Sequence, residues 1–364
     1  MSAGRELVAS ALERIVPATR IQRLSKLLRE NAWRLLGVGA LIGAALPAVL
    51  GDGFYLSVVA ELYLFAVLAL SWDLVGGQTG YPSFGQMAFF GVGAYTTAIL
   101  FGKFSVGFWP GLAAAGLLSL AVAGAIGLVV LRLRGGYFAI ATLGILLTFQ
   151  QVSRNLEITN GPDGISFLST LPPTTFYYAF LGLLVGEMAL VHYLSNTQFG
   201  YTLNAIRDDE GKVTAMGVNT TLYKTAAWMI ATLFTGMAGG TWSLFNFYVN
   251  PFTAYNLAWN VELIAMSLLG GAGTVLGPVL GAFGLHGLIA LVIDPYFAGW
   301  QLGVLGFVVI LTVIALPEGI VGWFQQRASA MEYYEYGGGA AGDEAAGTGA
   351  TADAEPDPTT EESV

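Results

Sequence analysis

The segment 55-YLSVVAELYLFAVLALSWDLVG-76 runs directly into 76-GGQTGYPSFG-85, and then into a second apolar stretch over 84–102. A helix needs about 20 mostly apolar residues to cross the hydrocarbon core of a bilayer. The outer two pieces therefore read as membrane-crossing helices and the middle piece as a break between them. Pro82 lacks an N–H, and its ring disfavours helical geometry at Tyr81. Backbone that leaves helical geometry at membrane depth is tolerated only where protein or a water-filled cavity satisfies it. A helix restarting near Ser83 would aim its first N–H groups into the bundle, a place suited to a carboxylate. The alternative is a tight turn at the cytoplasmic mouth. Gln78, Ser83 and Gln86 are the candidates here for a solute route.

The same reading extends over the chain. Apolar stretches at 33–51, 55–76, 84–102, 109–131, 137–155, 174–194, 224–248, 258–276, 278–294 and 300–318 predict about ten crossing helices. The predicted fold class is all-α, a polytopic membrane protein with Gly- and Pro-interrupted breaks. A second break is 270-GGAGTVLGPVLG-281. Composition agrees: 55% of the 364 residues are hydrophobic, 11% are charged, and mean hydropathy is +0.65. A soluble domain carries roughly 25% charged residues. There are no cysteines and two histidines, so thiolate chemistry is excluded and a histidine-based metal site is not expected.

The charges divide the chain into three parts. Residues 1–32 form a basic leader in which Leu24, Leu27 and Leu28 share a helical face among Arg23, Lys26 and Arg29, as an interfacial helix on an anionic leaflet would. No cleavable signal is expected, since no small-residue site follows a short apolar core. Residues 33–325 form the transmembrane part. Residues 326–364 read as a disordered acidic tail, with nine acids and no Lys or Arg from Glu332 onward. Lys and Arg concentrate on the cytoplasmic side. With ten spans and both termini cytoplasmic, 13 of the 15 basic residues fall inside, leaving only Lys103 and Arg154 outside.

One cytoplasmic loop, 196–223, is patterned. Leu203, Ile206, Val213 and Met216 fall near one face at helical spacing. Arg207, Asp208, Asp209, Glu210 and Lys212 occupy the rest, with Asp208 and Lys212 placed to pair four apart. Gly211 weakens the helix and Gly217 suits its end. This is an amphipathic helix that either docks another protein or merely closes a loop. On the outer side, Asn160 and Asp163 in 157-EITNGPDGI-165 either contact a partner or belong to a turn. Glu61 and Glu262 are acids in predicted spans, where an ionised group is costly unless it faces protein or water. With Asp73 and Glu187 they either line a route or serve as hydrogen-bonded structural acids; Glu61 and Glu262 are the better candidates for the route, since Asp73 and Glu187 sit nearer predicted ends or among few partners. His192 and His286 read as packing residues. No G-x-x-x-x-G-K-[ST] phosphate loop exists, so uphill transport would draw on an ion gradient or a separate ATPase.

Four stretches taken together resemble the LivM-type permease subunits of branched-chain amino acid ABC transporters. The first is 74-LVGGQTGYPSFGQMAFFGVGAYTTA-98, where Gly80, Ser83, Gly85, Ala88, Phe89, Phe90, Gly91, Gly93, Ala94 and Tyr95 match; Tyr81 stands where the family has Gln, and Gln86 where it has His. The second is 134-RGGYFAIATL-143 with 159-TNGPDGI-165. The third is the cytoplasmic loop, through 205-AIRDDE-210, Met216-Gly217-Val218 and Tyr223-Lys224. The fourth is 268-LLGGAGTVLGPVLGA-282. The resemblance implies a multi-pass plasma-membrane subunit that is not itself an enzyme. It implies two ATP-binding subunits, a second related permease, favouring a heterodimer, and an extracytoplasmic substrate-binding protein. Ala205, Ile206, Arg207, Asp208, Asp209, Glu210, Met216 and Gly217 would then form the coupling element seated on the ATPase, and Asn160 and Asp163 would meet the binding protein. Membrane lipid is the other expected partner; no cofactor, metal or nucleic acid is expected. An ion-coupled amino acid carrier using Glu61 or Glu262, and an ABC permease for urea or amides, are the alternatives.

Overall fold

The computed structural model describes residues 32–51, 53–168, 171–297, 299–315 and 319–322. The basic leader up to residue 31 and the acidic tail lie outside the described residues. The described chain is all-α apart from one two-residue antiparallel bridge. Its helices are α1 (Ala32–Leu50), α2 (Phe54–Thr79), α3 (Gln86–Phe104), α4 (Phe108–Val130), α5 (Gly136–Asn155), α6 (Pro173–Ser195), α7 (Gln198–Ala215), α8 (Thr220–Phe245), the single turn α9 (Pro251–Ala254), α10 (Leu257–Gly270), α11 (Gly277–Leu288), the turn α12 (Asp294–Tyr296) and α13 (Gln301–Ala315). A π-helical stretch, Ile289–Ile293, continues α11. β1 (Ile165–Ser166) pairs with β2 (Tyr248–Val249) in the register Ile165–Val249 and Ser166–Tyr248.

Among the described residues five helices, α2 to α6, are long and apolar enough to cross a membrane. Shorter apolar helices cover 36–48, 277–293 and 302–312. The sequence expectation ran the helix of 258–276 too far. α10 stops at Gly270 because Gly271 (φ 124°) and Gly273 (φ 82°) adopt left-handed backbone, which only glycine enters at no steric cost.

Where lipid supplies no hydrophobic drive, helices are held by close packing. α8 lies between α3 and α4, and its small residues make that possible. A Cβ on Gly93 would run into the Gly236 carbonyl, one on Gly236 into Ser119, and one on Gly240 into Thr97. The pair Gly236 and Gly240 is thus a packing face. Gly281 does the same for α11 against the Met266 carbonyl of α10. Gly273, which shares their spacing, sits instead in the loop between these helices and has another role.

The helix connections sort into two ends. At one end lie α7, the end of α2, the 131–135 turn and the start of α8. At the other, one helix length away, lie Lys103, the 3-10 turns Glu157–Thr159 and Gly161–Asp163, and the β1–β2 bridge.

Candidate functional site

The break after α2 is held by side chains rather than left open. Trp72 Nε1 donates to the Ser83 carbonyl at 2.7 Å, folding the break back onto α2. Asn260 on α10 donates to the same carbonyl at 3.3 Å and accepts the Met87 N–H at 3.2 Å. The Phe84 N–H goes to Thr142 Oγ1 and the Gly85 N–H to Ser83 Oγ. Several donors at the start of α3 are therefore occupied by the protein itself, as buried backbone requires. Ser83 and Gln86 are fully buried; Gln86 Nε2 donates to Thr235 Oγ1 on α8 at 2.5 Å, while its Oε1 has no partner among the described residues. Gln78 is buried in the last turn of α2.

Glu262 and His286 meet across α10 and α11, Oε1 to Nδ1 at 2.9 Å, and the imidazole stacks on Phe65 with ring centres 3.7 Å apart. His286, read from the sequence as packing only, is thus the partner of Glu262. Glu61 is half-buried and lies one turn before Phe65 on α2, toward the same side. Asn260, two residues before Glu262 on α10, bonds the Ser83 carbonyl and the Met87 N–H, so the break and the start of α3, with Ser83 and Gln86, meet α10 close to Glu262, whereas Gln78 lies at the opposite end of α2 from Glu61. Glu187 accepts from Ser71 at 2.5 Å between α2 and α6.

At the α7 end the structure joins residues that are far apart in sequence. α7 buries Leu203, Ile206 and Val213 against the bundle. Met216, expected on that face, is 81% exposed, because it caps the helix C-terminus just before Gly217 turns away at φ 86°. α7 also kinks: Asp209 leaves helical geometry (φ −160°, ψ 93°), and its carboxylate accepts the Lys212 N–H at 3.1 Å. That bond restarts the helix as an N-cap does. The kink breaks the helical register between Asp208 and Lys212, so the expected pair does not form. Lys212 bonds Asp209 at 3.1 Å, and Asp208 lies 3.8 Å from Arg207. The bond from the Lys212 backbone holds the Asp209 carboxyl below its usual range.

Glu210 faces inward and is the hub of this end. Oε1 accepts Lys224 Nζ at 2.7 Å and the Thr220 hydroxyl at 2.7 Å; Oε2 accepts the Tyr81 hydroxyl. Arg134 stands 4.0 Å away. The Lys224 side chain is 1% exposed and lies over the Tyr81 ring, 3.9 Å from its centre. Burial raises the Glu210 carboxyl, but the bonds from Lys224, Tyr81 and Thr220 outweigh it and hold the group below its ordinary value. One carboxylate therefore ties α7 to the break after α2, to the start of α8 and to the 131–135 turn. Arg207, one turn earlier, donates to the Gly77 carbonyl at 3.2 Å. Beside Glu210 opens a cleft of about 440 Å³ lined by Arg132, Arg134, Thr214, Asn219 and Thr220.

Of the residues expected to couple, Ala205, Arg207, Asp208, Met216 and Gly217 are exposed, Arg207 while still bonding the bundle through one guanidinium nitrogen. Ile206, Arg207 and Glu210 reach back into the bundle, and Asp209 shapes the kink. Tyr201 and Leu222, not singled out from the sequence, are exposed beside them. Tyr81 and Lys224 were visible only as motif positions, and nothing in the sequence pairs either with Glu210. At the other end Asn160 accepts from Lys103 Nζ at 3.2 Å, and the Asp163 carbonyl accepts the Tyr248 hydroxyl at 2.9 Å. Both side chains are exposed. Among the described residues no cluster of three or more acidic or His side chains could hold a metal.

Residues 54–313 match the family described as "Branched-chain amino acid transport system / permease component". The chain is 29% identical over 319 residues to the high-affinity branched-chain amino acid transport system permease protein LivM of Salmonella typhimurium, covering 77% of this chain and 73% of that one. It is 29% identical over 296 residues to the protein of the same name from Escherichia coli, covering 71% and 68%. To the probable branched-chain amino acid transport permease protein LivM of Methanocaldococcus jannaschii it is 25% identical over 279 residues, covering 64% and 79%. No solved structure matches the chain significantly. With a match that runs from the start of α2 nearly to the end of α13, this multi-pass membrane protein belongs to the branched-chain amino acid transport permease family.

Proposed function

We propose that the chain is the plasma-membrane permease subunit of an ABC importer for branched-chain or related apolar amino acids. It has no ATPase site of its own and is driven by two separate ATP-binding subunits. It pairs with a second, related permease and receives substrate from an extracytoplasmic binding protein near Asn160 and Asp163. Ten crossing segments place both termini in the cytoplasm: α1 to α6, α8, α10, α11 with its π extension, and α13. What supports this topology is the sorting of connections to two ends, with Arg134, Arg207, Lys212 and Lys224 at one and Lys103 at the other.

The observation that carries the reading is the construction of α7. Outside the membrane it exposes Tyr201, Met216 and, just beyond it, Leu222, while Arg207 and Glu210 on its inner side grip the bundle. Exposed large apolar side chains beside a polar rim mark a protein contact. An element held on one face and open on the other transmits force from a partner. Glu61, Gln78, Ser83, Gln86 and Glu262 remain the proposed solute route.

The test is association and uptake with the cognate ATP-binding subunits. Met216→Asp combined with Leu222→Asp weakens their association about tenfold or more, as loss of a central apolar contact does, and abolishes ATP-driven uptake of leucine while the chain still inserts. Undiminished association and uptake would refute the coupling role. The Glu262–His286 pair favours a second reading, an ion-coupled carrier. Accumulation of leucine by the chain alone under a proton or sodium gradient would establish it in place of the first. Uptake of urea or a short amide instead of leucine by the assembled importer would move the substrate class.

A further inference from the structure

The two glycine-rich breaks meet each other, and the meeting point is a buried carboxylate that neither break supplies. Asp73 lies on α2, one turn before Gly77, and is fully buried. Its Oδ1 accepts the Ser267 hydroxyl of α10 at 2.6 Å, and the Gly273 N–H divides between Oδ1 at 2.9 Å and Oδ2 at 3.0 Å. A carboxyl group taken out of water needs such hydrogen-bond partners. Gly77 and Gly273 are glycines because of this approach. A Cβ on Gly77 would lie 2.5 Å from Gly273 N, and one on Gly273 would lie 2.5 Å from Arg207 Nη1. The left-handed backbone at Gly273 turns its N–H toward the acid.

Arg207 closes the arrangement from the cytoplasmic side. Its bond to the Gly77 carbonyl satisfies one of the last four carbonyls of α2, which have no partner within their own helix. Its guanidinium is within electrostatic range of Asp73 without an ion pair to it. Gly271, in the same loop, packs against Val321 and Gly322, so the segment after α13 also meets this loop. Arg207 thus touches both breaks.

We propose that Asp73 is a positioning residue of a cytoplasmic gate. Asp73, Gly273 and Arg207 form a clasp that holds the end of α2 against the 271–276 loop, and displacement of α7 opens it by withdrawing Arg207. The inference rests on the coupling role given to α7, yet part of its test needs no ATPase. In the first arm, hydrogen exchange is followed on the intact chain in lipid nanodiscs. Arg207→Gln speeds exchange of the 271–276 amides at least tenfold, although Arg207 bonds none of them; unchanged exchange would overturn the clasp whether or not an ATPase binds. In the second arm, the assembled importer is reconstituted, and leucine transported per ATP hydrolysed is measured. Asp73→Ala lowers that ratio at least tenfold and raises hydrolysis without substrate. Asp73→Asn, whose amide oxygen still accepts from Ser267 and Gly273, recovers much of it. A ratio equal to the unaltered protein's, or transport and hydrolysis falling in the same proportion, would show a purely structural acid and refute the proposal.

Discussion

Lys224 and Glu210 give the sharpest test of how the α7 end is built. The ammonium is 1% exposed, and its charged partner is one oxygen at 2.7 Å on a side chain that is 13% exposed. Glu210→Ala removes that oxygen and leaves a buried ammonium with only the face of the Tyr81 ring. Breaking a buried pair in this way costs about 3–5 kcal/mol, because the surviving charge is uncompensated. Lys224→Met removes the charge itself. Glu210 then keeps the Tyr81 and Thr220 hydroxyls and reaches water, so the loss is about 1–2 kcal/mol. In the double variant no charge is stranded, and the loss falls short of the sum of the singles by roughly 1.5–3 kcal/mol. Thermal unfolding in nanodiscs, read by intrinsic fluorescence, measures each variant. Glu210→Ala lowers the midpoint by roughly 5–10 °C, and adding Lys224→Met to it lowers the midpoint no further and recovers a small part of the drop. If the losses add, the pair is not coupled, and Glu210 does not tie α8 to α7.

Two further outcomes follow from the same geometry. Because the Glu210 carboxyl lies below its ordinary value of 4.5, its contribution is complete above that pH and is lost as pH falls through the folded value; the unfolding midpoint should therefore shed the Glu210-dependent part only below about pH 4.5, and a Glu210→Gln variant should lack that acid-side loss. Asp209→Ala removes the acceptor for the Lys212 N–H, so the amides of residues 211–215 should exchange faster than those of 200–206, and equal exchange would show that the kink needs no cap.

The positions of most helices were legible in the sequence. Apolar runs of near-spanning length, punctuated by Gly and Pro, place ten stretches close to where helices form, and the burial of Leu203, Ile206 and Val213 follows from helical spacing. Ends were less legible. The helix of 258–276 ran six residues too far, because apolar character continues past the point where Gly271 and Gly273 turn the backbone. The Asp208–Lys212 pair failed because a helical spacing argument assumes an unbroken helix, and Asp209 breaks this one.

Chain order alone therefore decided that the protein lives in a bilayer, how its segments are spaced, and that an amphipathic helix with Arg207 and Glu210 lies between the sixth and seventh predicted spans. Only the tertiary structure decided what those residues grip. Hydropathy is a local property, summed over neighbours in sequence. The bonds of Glu210 to Tyr81 and Lys224, and of Asp73 to Ser267 and Gly273, join positions separated by as many as 200 residues. A buried carboxylate is stable only where several donors converge on it, and that convergence exists only once the helices have packed.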